Sequence, residues 1–294
     1  MMELGKVGIW TFAFDATPWP RAKDALAEVE ELGYGAVWVP EVVAKDALVH
    51  SALLLSASER IVVATGIASM WARGPLAMSQ AHKTITEAHP DRFLLGIGVS
   101  HQPAVEGFHR ADYSKPYSKM VAYLDAMDRA LYLATPPTTE PRRVLAALGP
   151  RMLELAAERA DGAHPYFVPV EHTAFAREHL GPDSWLCPEQ AVVLETDPGR
   201  ARTLARKATS MYLGLPNYTN NLRRFGFGDD DFADGGSDRL VDAIVAWGDT
   251  DAIAARVAAH HEAGADHVAL QVLGEGPGYL PLREWRELAP ALLG

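Results

Sequence analysis

The chain has 294 residues, 48% hydrophobic and 22% charged, the proportions of a globular protein with a substantial core. Its formal net charge of −11 argues against a nucleic-acid or anionic-membrane surface, since both need clustered Lys and Arg. The single cysteine, Cys187, excludes an intrachain disulfide and any cysteine-cluster metal site.

The N-terminus, MMELGKVGIWTF, runs straight into a strand without a signal peptide's apolar h-region. No apolar run reaches the length of a membrane span, so the expected location is the cytoplasm. The first strand is read at Lys6–Phe12 and is followed by a helix at Arg21–Leu32, with Ala22, Ala25, Leu26 and Val29 on one face. A buried-type strand, Ala36–Glu41, ends in a carboxylate, and an apolar helix occupies Ala47–Ser58. A third strand at Ile61–Ser69 leads through Arg73-Gly74-Pro75 to a helix at Leu76–Glu87.

The fourth strand, Phe93–Val99, is apolar on both faces, as parallel sheets require. It stops at Ser100, His101 and Gln102, where Pro103 forbids further pairing. The alternation continues with helix Tyr117–Tyr132, strand Arg143–Leu148, helix Arg151–Arg159, strand Gly162–Val168 and helix Glu171–Leu180. Strand Ala191–Glu195 and helix Gly199–Leu213 follow, then helix Asp251–Ala263, strand His267–Leu273 and a closing helix from Leu282. Between them, about 214–248, the pattern breaks into a Gly-, Asn- and Asp-rich stretch with an amphipathic helix at Arg239–Trp247.

Roughly eight strands alternating with helices over ~250–300 residues predicts an α/β chain folded as one (β/α)8 TIM barrel. It would form a single domain over 1–294, with the 214–248 stretch inserted between strands 7 and 8. A doubly wound sheet would favour a glycine fingerprint after the first strand, and KVGIWTFAFD has none.

In a barrel, chemistry gathers at the C-terminal strand ends. His101 ends the fourth strand, and an unperturbed pKa near ~6.5 suits it to donate or accept a proton; a hydrogen-bonded loop histidine is the plain alternative. Glu41 is either a partly desolvated acid or base, or a charge that holds a neighbouring loop. Thr65-Gly66-Ile67 interrupts an apolar strand, as packing or as a bulge toward the barrel mouth. Leu148-Gly149-Pro150-Arg151-Met152 passes from strand end into a helix, either an ordinary turn or an anion site built on free N–H groups. No HxH or HExxH pair sits at a strand end, so no metal is expected. Neither a GxSxG elbow nor a GxxxxGK[ST] loop is present.

The order of GIWTF, LGYGAVWVPE, VATGIASMWARGPLAMSQAHKTI, DRFLLGIGVSH, LAALGPRMLELAAERADGAHPYFV and AGADHVALQVLG resembles the luciferase-like superfamily. Within it, the chain is most similar to the compact oxidoreductases that use the deazaflavin coenzyme F420. The resemblance implies hydride transfer between the deazaflavin C5 and a small organic substrate, with the protein supplying position and a proton.

The resemblance places the ring on a non-prolyl cis bond at Gly66-Ile67, beside Thr65, Gly98, Ser100 and His164, and the phosphate at Leu148, Gly149, Pro150 and Met152. His101 and Glu41 become the acid/base candidates, and Trp10, Phe12, Met70, Trp71 and Tyr166 the substrate pocket. Sugar-phosphate dehydrogenases of this group carry Asp-His where this chain has Pro40-Glu41 and a glutamate where it has Ser100-His101. That departure argues against a sugar-phosphate substrate. The expected partner is a small molecule, with a homodimer as the assembly usual in the family. The competing readings are an FMN-dependent monooxygenase served by a separate flavin reductase, a barrel that only binds the cofactor, and an aldolase or hydrolase barrel.

Overall fold

A computed structural model describes residues 2–276 and 278–294. The first half of the chain comprises β1 (Val7–Trp10), α1 (Ala13–Ala16), α2 (Trp19–Glu31), β2 (Ala36–Val39), α3 (Ala47–Ser56), β3 (Val62–Thr65), β4 (Ala68–Ser69), α4 (Pro75–Ala88) and β5 (Phe93–Gly98). Next come α5 (Gln102–Ala104), a π-helical turn at Val105–His109, α6 (Pro116–Asp128), β6 (Arg142–Leu145), α7 (Pro150–Arg159), β7 (Gly162–Ala163), α8 (Val170–Leu180), β8 (Trp185–Leu186) and β9 (Glu189–Leu194). The remainder is α9 (Pro198–Leu213), α10 (Pro216–Arg223), α11 (Asp229–Phe232), α12 (Asp238–Ile244), β10 (Val245–Gly248), α13 (Thr250–Glu262), β11 (Val268–Val272) and α14 (Leu282–Leu293).

The strands form one parallel sheet in the order β10-β9-β11-β1-β2-β3-β5-β6-β7-β8, with β4 beside β5. The sheet curls back on itself. β8 continues through Cys187-Pro188 into β9, and Glu189 N–H donates to Pro165 O just beyond β7, at 2.9 Å. The expected α/β alternation of a curled parallel sheet is present, and among the described residues the sheet has eleven strands. β4 is cut from β3 at Gly66-Ile67, whose peptide bond is cis as expected. Proline 188, which cannot donate to a ladder, separates β8 from β9.

β10 has a different origin. The helix expected at Arg239–Trp247 ends at Ile244, and Val245–Gly248 pairs in parallel with Ala191–Leu194 of β9. Gln190, buried beside it, donates to Ile244 O at 2.8 Å. Tertiary pairing thus overrides a helical pattern. The sixth expected strand, Gly162–Val168, shrinks to β7 because Pro165 and a positive φ of 59° at Phe167 break it.

Period-two alternation divides the strands between two cores. Val37 and Val39, Val63, Phe93 and Leu95, and Leu145 face the helices, together with Leu26, Leu54, Met78 and Leu153. Their neighbours Ala36 and Trp38, Val62 and Ala64, Leu94, and Val144 turn to the other face, where Trp10, Cys187 and Ala269 complete a smaller core. Small residues are required there because the two indoles take up the enclosed space. No helix among the described residues is long and apolar enough to cross a membrane.

Burial drives the pKa values of five buried histidines from 6.5 to about 3 (His82, His260) or about 4 (His164, His172, His267). Below pH 6.5 the unfolded chain binds protons that the native state refuses, so stability falls as pH drops from there toward 4. Urea-unfolding midpoints measured across this range should decline steadily; a flat profile would show that these imidazoles are not held neutral.

Candidate active site

The C-terminal ends of β1, β2 and β4 to β7 surround a cavity of about 320 Å³. Its lining includes Trp10, Phe12, Glu41, Gly66, Ile67, Ser100, His101, Leu148, Met152, His164 and Tyr166, all named from the sequence. The Trp10 indole N–H donates to Gly66 O at 3.1 Å, tying β1 to the break between β3 and β4. A Cβ on Gly66 would lie 2.5 Å from Trp10 Nε1 and 3.1 Å from His164 Nε2, so only glycine fits.

The other expected contacts lie behind this surface. Thr65 is fully buried, its hydroxyl exchanging hydrogen bonds with Gly96 O and N–H at 2.7 and 2.9 Å. Gly98 lies under the Ile67 side chain. Met70 turns into the helix-facing core, and the Trp71 indole is pinned to Val99 O at 2.8 Å, so neither lines the cavity. Gly149 and Pro150 begin α7 at the rim.

His164 is buried, stacked on Trp38 with ring centroids 4.3 Å apart, and its Nδ1–H donates to Cys187 O at 2.6 Å. That bond leaves Nε2 as an unprotonated acceptor, enclosed and without a partner. His101 follows Ser100, whose positive φ of 56° turns the chain at the strand end. Its Nε2 faces the Tyr218 hydroxyl at 3.4 Å, while Nδ1 is enclosed without a partner. Burial lowers the His101 pKa, weakly opposed by the Asn217 amide.

Glu41 lies at the cavity edge, fully engaged. Its carboxylate takes both arms of the Arg73 guanidinium and accepts N–H bonds from Ser69 at 2.7 Å and Ala47 at 3.2 Å. Burial by itself would lower the Arg73 pKa, but Glu41 and Asp46 outweigh it and raise it. The geometry is that of a clamp joining the segments after β2 and β4.

Among the wall residues that were not anticipated are Tyr113, Tyr212, Asn217 and Tyr218. Tyr166 donates to Gln271 Oε1 at 2.8 Å, so the 2.8 Å contact between the Tyr166 and Tyr212 hydroxyls is donated by Tyr212. Phe12, Tyr166 and Tyr212 form a shared wall to a second cavity of about 480 Å³. Glu189 lines that second cavity, its Oε2 accepting Phe167 N–H at 3.1 Å, and burial raises its pKa to about 8. Sequence signals for these positions were faint: NYTNN marks Asn217 and Tyr218, inside a stretch read only as an insertion.

At the rim, α7 starts from Gly149, and its first hydrogen bonds run from Met152 and Leu153 N–H to Gly149 O, both 3.1 Å. The N–H groups of Gly149 and Arg151 precede that ladder and are the donors a helix start presents to an anion. The Arg224 guanidinium stands 3.4 Å from where a Gly149 Cβ would be, adding a cation from just beyond α10. A flat apolar floor, an acceptor at His164 and an anion turn on one rim suit a planar ring with a phosphate-bearing tail. Among the described residues no group of three or more His, Cys, Asp or Glu could hold a metal ion.

Residues 6–267 match the family model for luciferase-like monooxygenases. A Mycobacterium tuberculosis protein, provisionally named a coenzyme F420-dependent oxidoreductase, is 24% identical over 90% of this chain and 94% of its own length. An F420-dependent secondary alcohol dehydrogenase, solved with an F420-acetone adduct, superposes with a TM-score of 0.78 at 14% identity, covering 98% of this chain and 99% of that one. The oxygenating constituent of 3,6-diketocamphane monooxygenase from Pseudomonas putida, solved with FMN, gives 0.68 at 15% identity and covers 98% of each chain.

The Glu41–Arg73 clamp has its own test. Removing Glu41 leaves Arg73 with Asp46 alone and the Ser69 and Ala47 N–H groups without their acceptor, so Glu41→Ala should cost about 1–3 kcal/mol of unfolding free energy. Urea denaturation measures it, and a loss no larger than that of an exposed pair would return Glu41 to the acid/base candidates.

Proposed function

The chain belongs to the luciferase-like monooxygenase family and is an oxidoreductase; from that premise we propose that it binds coenzyme F420 and transfers a hydride between the deazaflavin C5 and a small organic substrate. The observation that carries this reading is the continuity between the cavity floor at Gly66, Ile67 and His164 and the start of α7. The ring would lie on the floor, and the phosphate would take the N–H groups of Gly149 and Arg151 and the Arg224 guanidinium. Bound there, the deazaflavin would supply two-electron hydride chemistry. The protein's part is to orient the ring, shield it from water and manage a proton at His101.

The substrate is read as neutral and largely apolar. Trp10, Phe12, Tyr166 and Tyr218 dominate the wall, and the one carboxylate among the lining residues, Glu41, is neutralised by Arg73. In the same reading the strands other than β10 make eight β/α units, β3 with β4 and β8 with β9 each forming one broken strand, and 214–248, which contains β10, is the insertion. A homodimer remains the expected assembly.

A second reading keeps the fold and replaces the cofactor with FMN, as in the Pseudomonas putida neighbour. Titration of the purified protein with F420 and FMN side by side separates the two, with F420 expected to bind more tightly. Gly149→Val should displace Arg224 and crowd the turn. Losing one charge-assisted hydrogen bond costs about 1.5–3 kcal/mol, so F420 affinity should fall roughly 10- to 100-fold with an unchanged circular dichroism spectrum. An unchanged affinity would move the phosphate elsewhere.

A further inference from the structure

We propose that the second cavity, walled by β9, β11 and α9, binds a small organic ammonium ion on an apolar body, with the Glu189 carboxylate as its partner. The assignment goes beyond the F420 reading and does not depend on it.

Glu189 opens β9, and its side chain lines this cavity of about 480 Å³ while remaining only 2% exposed. Its Oε2 accepts Phe167 N–H at 3.1 Å, whereas Oε1 is enclosed and has no hydrogen-bond partner. A buried carboxyl oxygen left in that condition is costly. A ligand that brings a donor removes the cost.

The wall itself does not bring one. Tyr212 donates to Tyr166, Tyr166 to Gln271, Tyr279 to Glu284 Oε1 at 2.7 Å and Thr209 to Gly235 O at 2.8 Å. Nor does a cation neutralise Glu189. Lys207, the one Lys or Arg among the described lining residues, is exposed, and Asp15, the other lining carboxylate, faces His50 Nδ1 at 3.4 Å. The titratable groups that feel Glu189 are the Tyr166, Tyr212 and Tyr218 phenols, none of which carries a positive charge. Burial therefore prevails over the single Phe167 N–H and sets the carboxyl pKa at about 8.

An ammonium ion supplies the missing donor and the missing charge together. A hydrogen bond between two ionised groups is roughly twice as strong as a neutral one, and it gains further in a site shielded from water. Phe12, Phe167, Val245 and Leu273 also line the cavity and suit an apolar body. At neutral pH the empty site keeps a proton on Glu189. The incoming cation meets the carboxylate only by sending that proton to water, so binding releases about one proton per ligand.

Calorimetric titration of the cofactor-free protein with 2-phenylethylammonium chloride, in neutral buffers of different ionisation enthalpy, reads affinity and proton count together. Binding should release about one proton and be roughly 10- to 100-fold tighter than that of the neutral analogues 2-phenylethanol and acetophenone. Glu189→Gln keeps an acceptor for Phe167 N–H and removes the charge. It should abolish the proton release and bring the ammonium ion down to the affinity of the analogues, with an unchanged circular dichroism spectrum. No binding of the ammonium ion at millimolar concentration overturns the proposal. So does binding without proton release in the parent protein, a result that stands even where the Gln variant does not fold. Analogues that bind as tightly as the ammonium ion would make Glu189 a neutral donor and overturn the ligand class. Affinity and proton release retained in Glu189→Gln would move the ion to another site. F420 is absent throughout, so a failure of the F420 reading leaves each of these outcomes as it stands.

Discussion

Inside the curled sheet, Trp38 is held between two neutral imidazoles, and the position of the site depends on that arrangement. The indole stacks on His164 and donates its N–H to His267 Nε2 at 3.0 Å. His164 donates to Cys187 O, and His267 donates to Gly5 O at 2.9 Å. A buried polar group without a partner costs about 2–7 kcal/mol, so each of these bonds fixes a tautomer and a ring orientation. One column thus links β2, the end of β7, the β8–β9 junction, the start of β11 and the N-terminal segment. His164 Nε2 is left directed at Gly66, where the floor of the cavity begins.

The alternation of side chains makes this column possible. Helix-facing positions carry Val, Leu, Ile and Phe in a large continuous core, whereas the enclosed face is mostly Ala and Val around two tryptophans. A close-packed interior transmits position with little slack. Strand ends mounted on it can hold reactive groups to the tolerance that catalysis demands.

The mouth of the sheet is electrostatically quiet. Glu41 and Arg73 cancel one another, His101 and His164 are held neutral by burial, and the Tyr166 and Tyr212 hydroxyls are spent within the wall. Charge is confined to the rim, where Arg224 stands by the start of α7. Such a division favours a ligand with an apolar, planar body and one anionic end. It also places the proton chemistry on the few polar groups that are not already satisfied.

Much of this was legible in the residues. The alternation of apolar strands and amphipathic helices, the strand ends at Glu41, Gly66 and His101, and the Gly-Pro start of α7 are local features, written in periods of two and 3.6 and in turn chemistry. The segment after Leu213 was legible only in its last helix, because its polar composition conceals α10 and α11, and the end of that helix becomes β10 only by pairing with β9. Glu41 shows the same limit: its local setting fitted either an acid or a loop anchor, and its partner Arg73 stands 32 positions later. Tyr218 meets His101 across a separation of 117 residues, a juxtaposition that no local pattern encodes. The sequence by itself determined most of the strands, which faces are apolar, and the polar strand ends at Glu41, Gly66 and His101. Only the tertiary structure decided which polar groups are already partnered and which remain free for chemistry, because a hydrogen bond depends on distance in space and not on distance along the chain.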